Sequence, residues 1–206
     1  MKLGIIGAGH IGGNIGRLAA LAGYDVTVSF ARDRANLTAL ATEIGGTAGE
    51  SAEAAAADLV VLSVPWGVID EALAQAGSLA GRIVIDTTNQ FGRGVAASLN
   101  GRTAARYNAD RMPGAAYTKC FNTLTAGFQA AAATRTGDAR VVRWIAGGDS
   151  PAKTIVAELV TPSEPRAWPP PDTFRQLRTG CLPAPPHHAG SRGRARGPAS
   201  AGSARG

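Results

Sequence analysis

A glycine-rich turn near the N-terminus has the residue types that bind a nucleotide phosphate. The segment GAGHIG supplies Gly7, Gly9 and Gly12 with GxGxxG spacing, directly after an apolar run and before a helical pattern. Here Gly7 permits a tight turn, Gly9 lets the backbone approach a pyrophosphate, and Gly12 allows close packing of helix on strand. The amides of His10, Ile11 and Gly12 would face the phosphates, favoured by the helix dipole. A glycine-rich turn without a ligand, with a solvated His10, is the alternative.

The stretch VTVSFARDR, residues 26–34, indicates which dinucleotide would be bound. In an NAD site an acidic residue ends the second strand, accepts hydrogen bonds from the ribose and repels a 2′-phosphate. Ser29 stands at about that place, and its hydroxyl can donate to a phosphate. Arg32 can form a charge-assisted pair with the same group, and Arg34 is a second candidate. These residues predict NADP, although Asp33 could pair with an arginine, and residues 32–34 could simply form a solvated helix start.

Further cofactor contacts are expected at the ends of three later apolar runs, because such strand ends face the cofactor crevice. Trp66 could form a wall beside the nicotinamide or stack on a flavin-like ring, but it could also be a core aromatic. Asn122 could instead cap the following helix. The residues predicted to bind cofactor at these strand ends are Ser63, Val64, Pro65, Trp66, Thr88, Asn89 and Asn122.

The sequence shows no nucleophile elbow, paired-carboxylate site or metal cluster, so we predict neither catalytic side chains nor a metal. Hydride transfer between two cofactors chiefly needs aligned rings and exclusion of water. Lys119 is the obvious proton donor for a small-molecule reductase, but a solvent-facing strand end is its other interpretation. Cys120 and Cys181 lack metal-ligand spacing, and no structural disulfide is expected.

The elements that must position these residues follow from the alternation of apolar runs with helical patterns over residues 1–160. Continuous apolar strands separated by helices predict an α/β fold, with a Rossmann-type doubly wound parallel sheet. The predicted strands are 3–7, 25–29, 46–49, 58–64, 83–86, 116–121 and 140–147. The predicted helices are 11–21, 34–44, a short one capped by Ser51, 66–76, 125–133, and one running to residue 160 with Ser150 as its N-cap.

The basic net charge of +6 in this chain of 206 residues is concentrated at one end. Residues 1–160 carry 14 Lys or Arg against 13 Asp or Glu, whereas residues 161–206 carry 7 Arg against 2 acids. The charge of the domain therefore predicts no nucleic-acid partner. No apolar run approaches the ~20 residues needed to span a bilayer, and the N-terminus lacks a signal-peptide pattern, so we expect a cytoplasmic protein without a membrane partner.

The composition changes abruptly after residue 160. The segment 161–206 holds nine of the twelve prolines, is rich in Arg, Gly and Ala, and contains no Val, Ile or Lys. Such a segment cannot bury enough apolar surface to offset its ordering entropy. We predict a Rossmann NADP-binding domain over 1–160, with a partial C-terminal subdomain from about 115, followed by a disordered tail. An interaction arm and a frame-shifted, truncated C-terminal part are the alternatives.

Five segments resemble a known family when they are taken in this order: GIIGAGHIGGNIG, VSFARD, LVVLSVPW, IVIDTTN and KCFNTL. Over residues 1–160 they are similar to NADP-dependent oxidoreductases of the coenzyme F420-dependent type. The resemblance implies a Rossmann domain for NADP, a smaller C-terminal part covering the deazaflavin F420 as co-substrate, and a homodimer. The implied reaction is hydride transfer between NADP(H) and a deazaflavin or flavin-like acceptor.

The chain departs from the family pattern at several positions. Ala31 stands where the family has the serine of a Ser-Arg pair, Gln90 replaces a common proline, and Cys120 replaces an alanine. The proline-rich tail stands where the family continues with a strand and closing helices. Two alternative functions therefore remain. One is a non-catalytic NADP(H)-binding redox sensor or regulatory module, and the other is an NADP-dependent reductase of a small imine or hydroxy acid.

Overall fold

The computed structural model describes residues 1–92, 95–96, 98–132 and 141–161. The predicted tail, apart from Thr161, lies outside the described residues, and the domain boundary at residue 160 stays a prediction. The strands are β1 Lys2–Ile6, β2 Asp25–Ser29, β3 Thr47–Ala48, β4 Leu59–Leu62, β5 Ile83–Asp86, β6 Phe91–Gly92, β7 Val95–Ala96, β8 Ala116–Lys119 and β9 Ala146–Gly147. The helices are α1 His10–Leu21, α2 Arg34–Ile44, α3 Ser51–Ala55, α4 Ile69–Ala76, α5 Ala104–Ala109, α6 Ala126–Ala132 and α7 Ser150–Val160, with a 3-10 turn at Trp66–Val68 before α4.

Within these residues, seven strands form one sheet in the order β3-β2-β1-β4-β5-β8-β9. All neighbours pair in parallel except β9, which runs antiparallel to β8. The chain winds outward from β1 in one direction through β2 and β3, and then in the other through β4 and β5. The order therefore reverses between β1 and β4, and the predicted doubly wound α/β fold is confirmed. A separate antiparallel pair joins β6 and β7.

The sheet is covered on both faces, which explains why its strands are apolar throughout. Successive side chains of a strand point to opposite faces. In β1, Ile5 belongs to the core beneath α1 and α2, whereas Ile6 belongs to the core beneath α3 and α4. The same alternation divides β4, where Val61 packs on the first face and Val60 on the second. All four residues of β4 are buried, as expected for a central parallel strand.

Two predicted helix caps are wrong by one residue. The Glu50 carboxylate, not the Ser51 hydroxyl, caps α3, and Glu53 closes the capping box by accepting from the Glu50 amide at 2.8 Å. Likewise Asp149, not Ser150, caps α7 by accepting from the Ala152 amide at 2.8 Å. In both cases an acidic residue directly before the serine takes the cap, where its charge also suits the helix dipole.

The predicted strand 140–147 is mostly wrong. Only Ala146–Gly147 forms a strand, residues 141–145 have no regular structure, and Arg140 lies outside the described residues. Side chains hold this segment instead, because the Arg143 guanidinium lies 4.6 Å from the Phe121 ring centroid and Ile145 is buried. The preceding strand also ends two residues early, at Lys119. Phe121 has a φ of +61°, which no strand residue adopts.

The segment between β5 and β8 contains structure that the sequence reading missed. Helix α5 is capped by Thr103, whose hydroxyl accepts from the Arg106 amide at 3.2 Å. The Trp66 ring lies 5.8 Å from that of Tyr107 in α5. Among the residues described, no helix is long and apolar enough to cross a bilayer.

Candidate functional site

A cleft of about 1270 Å³ opens at the carboxyl ends of β1, β2, β3 and β4. This is the point where strand order reverses, the usual ligand position in open α/β sheets. Its walls are the turn after β1, the loop after β2, the segment between β3 and α3, and the loop after β4 with part of α4. The predicted site residues that line it are Gly7, Gly9, His10, Arg32, Arg34, Ser63, Val64 and Pro65. The others do not: Ile11, Gly12, Ser29, Trp66, Thr88, Asn89 and Asn122.

The three glycines of the turn are needed for different reasons. Gly7 has a φ of +107°, and a Cβ there would lie 2.3 Å from the Ser63 carbonyl oxygen. A Cβ on Gly12 would lie 2.1 Å from the Gly7 carbonyl oxygen, so α1 could not pack against the turn. At Gly9 nothing lies within 4 Å of the Cβ position. Packing within the chain therefore requires Gly7 and Gly12, whereas Gly9 leaves open space on the cleft.

The first turn of α1 has no side-chain cap, because its N-cap is Gly9. The leading amides of a helix need such a partner, water or a ligand. Positioned beside the cleft, they are suited to accept an anion at the positive end of the helix dipole. Gly9 and the uncapped turn together fit a pyrophosphate group.

Alanine substitutions should separate the two kinds of glycine. Gly12→Ala is expected to lower the free energy of unfolding by about 3 kcal/mol or more, because its methyl group meets backbone that cannot yield. Gly9→Ala should change stability by less than about 1 kcal/mol and yet weaken NADPH binding about tenfold, because it fills the approach to the amides. Urea unfolding and NADPH titration of both variants test this. Undiminished NADPH binding by Gly9→Ala would contradict it.

The structure corrects the expected role of Ser29. Its side chain is fully buried, and its hydroxyl donates to the Ile5 carbonyl oxygen at 2.8 Å. Ser29 is the last residue of β2, and its side chain points into the protein, away from the cleft. The backbone then turns at Phe30, which has a φ of +55°, and Phe30 and Ala31 line the cleft instead.

The charged residues of the same loop have three different surroundings. Asp33 is the N-cap of α2 and accepts from the Ala35 amide at 2.8 Å, and it forms no ion pair with an arginine among the described residues. Arg34 donates to the Glu50 carboxylate at 2.8 Å. Arg32 is exposed and lines the cleft, and it forms no hydrogen bond or ion pair with any residue in the described part of the chain. Arg32 is therefore the guanidinium available to a ligand.

Side-chain hydrogen bonds join the segments that follow β5 and β8. The Asn89 side-chain amide donates to the Asn122 carbonyl oxygen at 2.8 Å, and the Asn122 amide donates to Asn89 Oδ1 at 3.1 Å. Thr88 is buried, and its hydroxyl accepts from Asn108 Nδ2 at 3.0 Å. Asn122 therefore joins two strands and is not seen to cap α6. Beside Pro65, Trp66 packs against Tyr107 and Arg111, whose guanidinium lies 5.7 Å from the Trp66 ring centroid.

A buried carboxylate at the end of β5 was missed by the sequence reading. Asp86 is fully buried and accepts hydrogen bonds from four groups: the Thr88 amide at 2.7 Å, Asn108 Nδ2 at 2.9 Å, Lys119 Nζ at 3.2 Å and the Tyr117 hydroxyl. Burial, and then the negative charge of Asp86, raise the pKa of Tyr117. The available signal was an acidic residue ending the apolar run IVID.

Lys119 belongs to this buried network, so the expectation of a solvent-facing strand end is wrong. Its side chain is only 10% exposed, and its ammonium also donates to the Thr88 carbonyl oxygen. The hydrogen bonds and the ion pair hold Lys119 across β5 and β8. These contacts use two of its three N–H donors, and Lys119 is not among the residues that line the cleft.

The Cys120 thiol is expected to be unreactive in the folded protein. It is buried and free, and burial raises its pKa to about 12, so at pH 8 it is a neutral thiol shielded from solvent. In a Cys181→Ser variant, which leaves Cys120 as the single thiol, a disulfide reagent should label nothing at pH 8. One equivalent should react in urea. Rapid labelling of the native protein would contradict the burial.

Several cleft residues were also missed, namely Arg17, Phe30, Glu50, Ser51, Glu71 and Gln75. Ser51 and Gln75 are hydrogen-bonded at 3.5 Å, which links the start of α3 to α4. The position of Glu50 and Ser51 follows from topology, because residues after the third strand of such a sheet border the same crevice. No local motif marks them.

Comparison with known proteins relates this chain to a family. The profile of the family described as "NADP oxidoreductase coenzyme F420-dependent" matches residues 2–90, which include every residue lining the cleft. The hypothetical protein SMa0349 from Sinorhizobium meliloti is 30% identical, with 78% of this chain and 80% of that chain covered and a TM-score of 0.68. A protein of Arthrobacter sp. FB24, whose proposed activity is that of an F420-dependent NADP reductase, is 26% identical, with coverage of 78% and 79% and a TM-score of 0.64.

A more distant structure shares the fold alone. The reductive aminase from Aspergillus terreus, in complex with NADPH4, cyclohexanone and allyl amine, is 23% identical with a TM-score of 0.55, and this chain spans 52% of its length. No curated protein sequence matches the chain. Because the family profile spans the whole cleft and a 30% identical relative is covered over four-fifths of its length, the chain belongs to the family of coenzyme F420-dependent NADP oxidoreductases.

Proposed function

We propose that the protein binds NADP(H) in the cleft and transfers hydride between it and a deazaflavin or flavin-like acceptor. The observation that carries the nucleotide assignment is Arg32. It lies on the loop after β2, three residues beyond Ser29, which stands where an NAD site would have its acidic residue, and it has no ion-pair partner among the described residues. The one acid beside it, Asp33, is engaged as the cap of α2.

In this proposal the parts of the nucleotide occupy the cleft in a definite order. The pyrophosphate lies against Gly9 and the uncapped first turn of α1. Arg32 binds the 2′-phosphate with a charge-assisted, two-pronged contact. The nicotinamide end then extends toward Ser63, Val64 and Pro65, after β4. Ser29 does not contact the phosphate in this proposal, because its buried hydroxyl already donates to the Ile5 carbonyl oxygen.

The acceptor assignment rests on relatedness and on what the described side chains lack. The Arthrobacter protein, covered over 79% of its length, has a proposed F420-dependent activity. The bound nicotinamide would supply or accept the hydride. The protein's own contribution is to hold the ring beside the β4 loop and to keep water out. Reduction of an imine would also need a proton donor near the reacting carbon, and the one lysine considered for that role, Lys119, is held by Asp86.

Turnover with defined acceptors tests the proposal. The full chain is mixed with NADP⁺ and reduced coenzyme F420, and the deazaflavin and NADPH absorbances are followed together. We expect oxidised F420 and NADPH to form in equal amounts. Parallel reactions contain NADPH with a cyclic imine, or with FMN. Turnover of the imine alone would replace the proposal by the small-molecule reductase. NADPH binding without turnover of any acceptor would leave a binding module or sensor.

The homodimer implied by the resemblance and the cytoplasmic location expected from the sequence stay predictions.

A further inference from the structure

The start of α2 and the start of α3 are joined by an ion pair at the edge of the cleft. Arg34 Nη1 lies 2.8 Å from Glu50 Oε1, and both residues line the cleft beside Arg32. Each side chain is 71% exposed, so neither is held by burial. The pair joins the loop after β2 to the segment after β3. The loop after β2 is the one expected to determine the preference between NADP(H) and NAD(H).

The two partners of this pair differ in freedom. Glu50 is the more restrained of the two, because it begins the capping box of α3 and its amide donates to the Glu53 carboxylate at 2.8 Å. The Arg34 guanidinium has Glu50 as its one hydrogen-bonding partner among the described residues. If a competing anion enters the cleft, the arginine can move to it while the carboxylate stays in place.

The charges of the cleft show what this pair does to phosphate binding. Three arginines line the cleft: Arg17, Arg32 and Arg34. Arg17 is paired with Glu43, which is not part of the lining, whereas the partner of Arg34 is itself a lining residue. Glu50 therefore has two effects beside Arg32: it occupies a second guanidinium, and it adds a negative charge that repels phosphate.

We propose that Glu50 is a specificity-determining residue that keeps Arg34 from the 2′-phosphate and so limits the preference for NADP(H) over NAD(H). The proposal rests on the proposed function, because it requires the 2′-phosphate to lie at this loop. The proposal concerns the 2′-phosphate on the adenosine ribose, because this group alone distinguishes NADP(H) from NAD(H). Arg32 makes the basic contact, and Glu50 sets how far Arg34 adds to it.

Glu50→Gln tests the proposal with little change to the fold, because the amide oxygen can still cap α3. The dissociation constant for NADPH is expected to fall about fivefold, and that for NADH less than twofold, as suits the release of one exposed, screened ion pair. The difference should shrink in 0.5 M salt. Asp110→Asn is the matched control, since it also removes one acid from exposed pairs, with Arg102 and Arg106, but lies outside the cleft lining. It should leave both constants unchanged.

The dependence on Arg34 decides the mechanism. In an Arg34→Ala background, the gain of Glu50→Gln for NADPH over NADH should shrink to less than about twofold, because only the removal of one exposed, screened negative charge remains. The proposal is overturned if Glu50→Gln tightens both nucleotides equally, or if the full selective gain persists without Arg34. Failure of the proposed function looks different. In that case the unmodified protein shows no preference for NADPH, and Arg32→Ala has no selective effect.

Discussion

Asp86→Ala is expected to lower the free energy of unfolding by about 3–5 kcal/mol, the usual cost of removing one partner of a buried ion pair. Lys119, only 10% exposed, would keep a positive charge without its carboxylate. The Tyr117 hydroxyl and the Asn108 amide would lose an acceptor at the same time. Urea unfolding at pH 7, with the slope checked for constancy, measures the loss.

A double substitution separates the ion pair from simple loss of packing. The double variant Asp86→Ala with Lys119→Met should lose less free energy of unfolding than the two single variants lose together, because it leaves no unpaired charge buried. Asp110→Ala provides the exposed comparison. Its arginine partners remain in water, so it should cost less than a fifth as much. Strictly additive losses for Asp86 and Lys119 would show that the pair is not a coupled unit.

Arg32→Ala is expected to raise the dissociation constant for NADPH about tenfold to a hundredfold, the range for losing a hydrogen-bonded contact between two charged groups. The constant for NADH should change by less than about twofold, because NADH has no 2′-phosphate. Arg32→Lys should recover only part of the affinity, since an ammonium cannot form the two-pronged contact. Titration of both nucleotides at a fixed ionic strength measures these changes.

Arg17→Ala is the control for a general loss of positive charge in the cleft. Arg17 also lines the cleft, but its guanidinium is held by the Glu43 carboxylate at 2.6 Å. It should weaken the two nucleotides equally. If Arg32→Ala also weakens NADPH and NADH equally, Arg32 contributes only to the general field, and the 2′-phosphate must be bound elsewhere.

The order of strands and helices along residues 1–92 could be predicted, because the periodicity of apolar residues and the glycines at the turns indicate the same element boundaries. The ranges of β2 and α2 match the prediction residue for residue, since a charged residue or a turn bounds each end. The cap residues could not be chosen from the pattern. Acidic residues and serines are both good caps, and only the backbone shows that Glu50 and Asp149 stand one position before their helices.

The site was predictable where a function is carried by the backbone, and less so where it depends on the direction of a side chain. The glycine turn forms the cleft because Gly7 and Gly12 are required by contacts next to them in space. At Ser29 the pattern located the strand end but not the face to which the hydroxyl points. The Asp86 network joins β5, α5 and β8, and no local pattern relates residues so far apart in sequence.

The measurement that tests the central claim most directly is a comparison of NADPH and NADH binding by the unmodified protein. Each nucleotide is titrated into the full chain at 0.1 M salt, and the two dissociation constants are determined in the same buffer. NADPH is expected to bind at least tenfold more tightly, because Arg32 is available at the loop after β2. Equal affinities, or tighter binding of NADH, would contradict the assignment of this cleft to NADP(H).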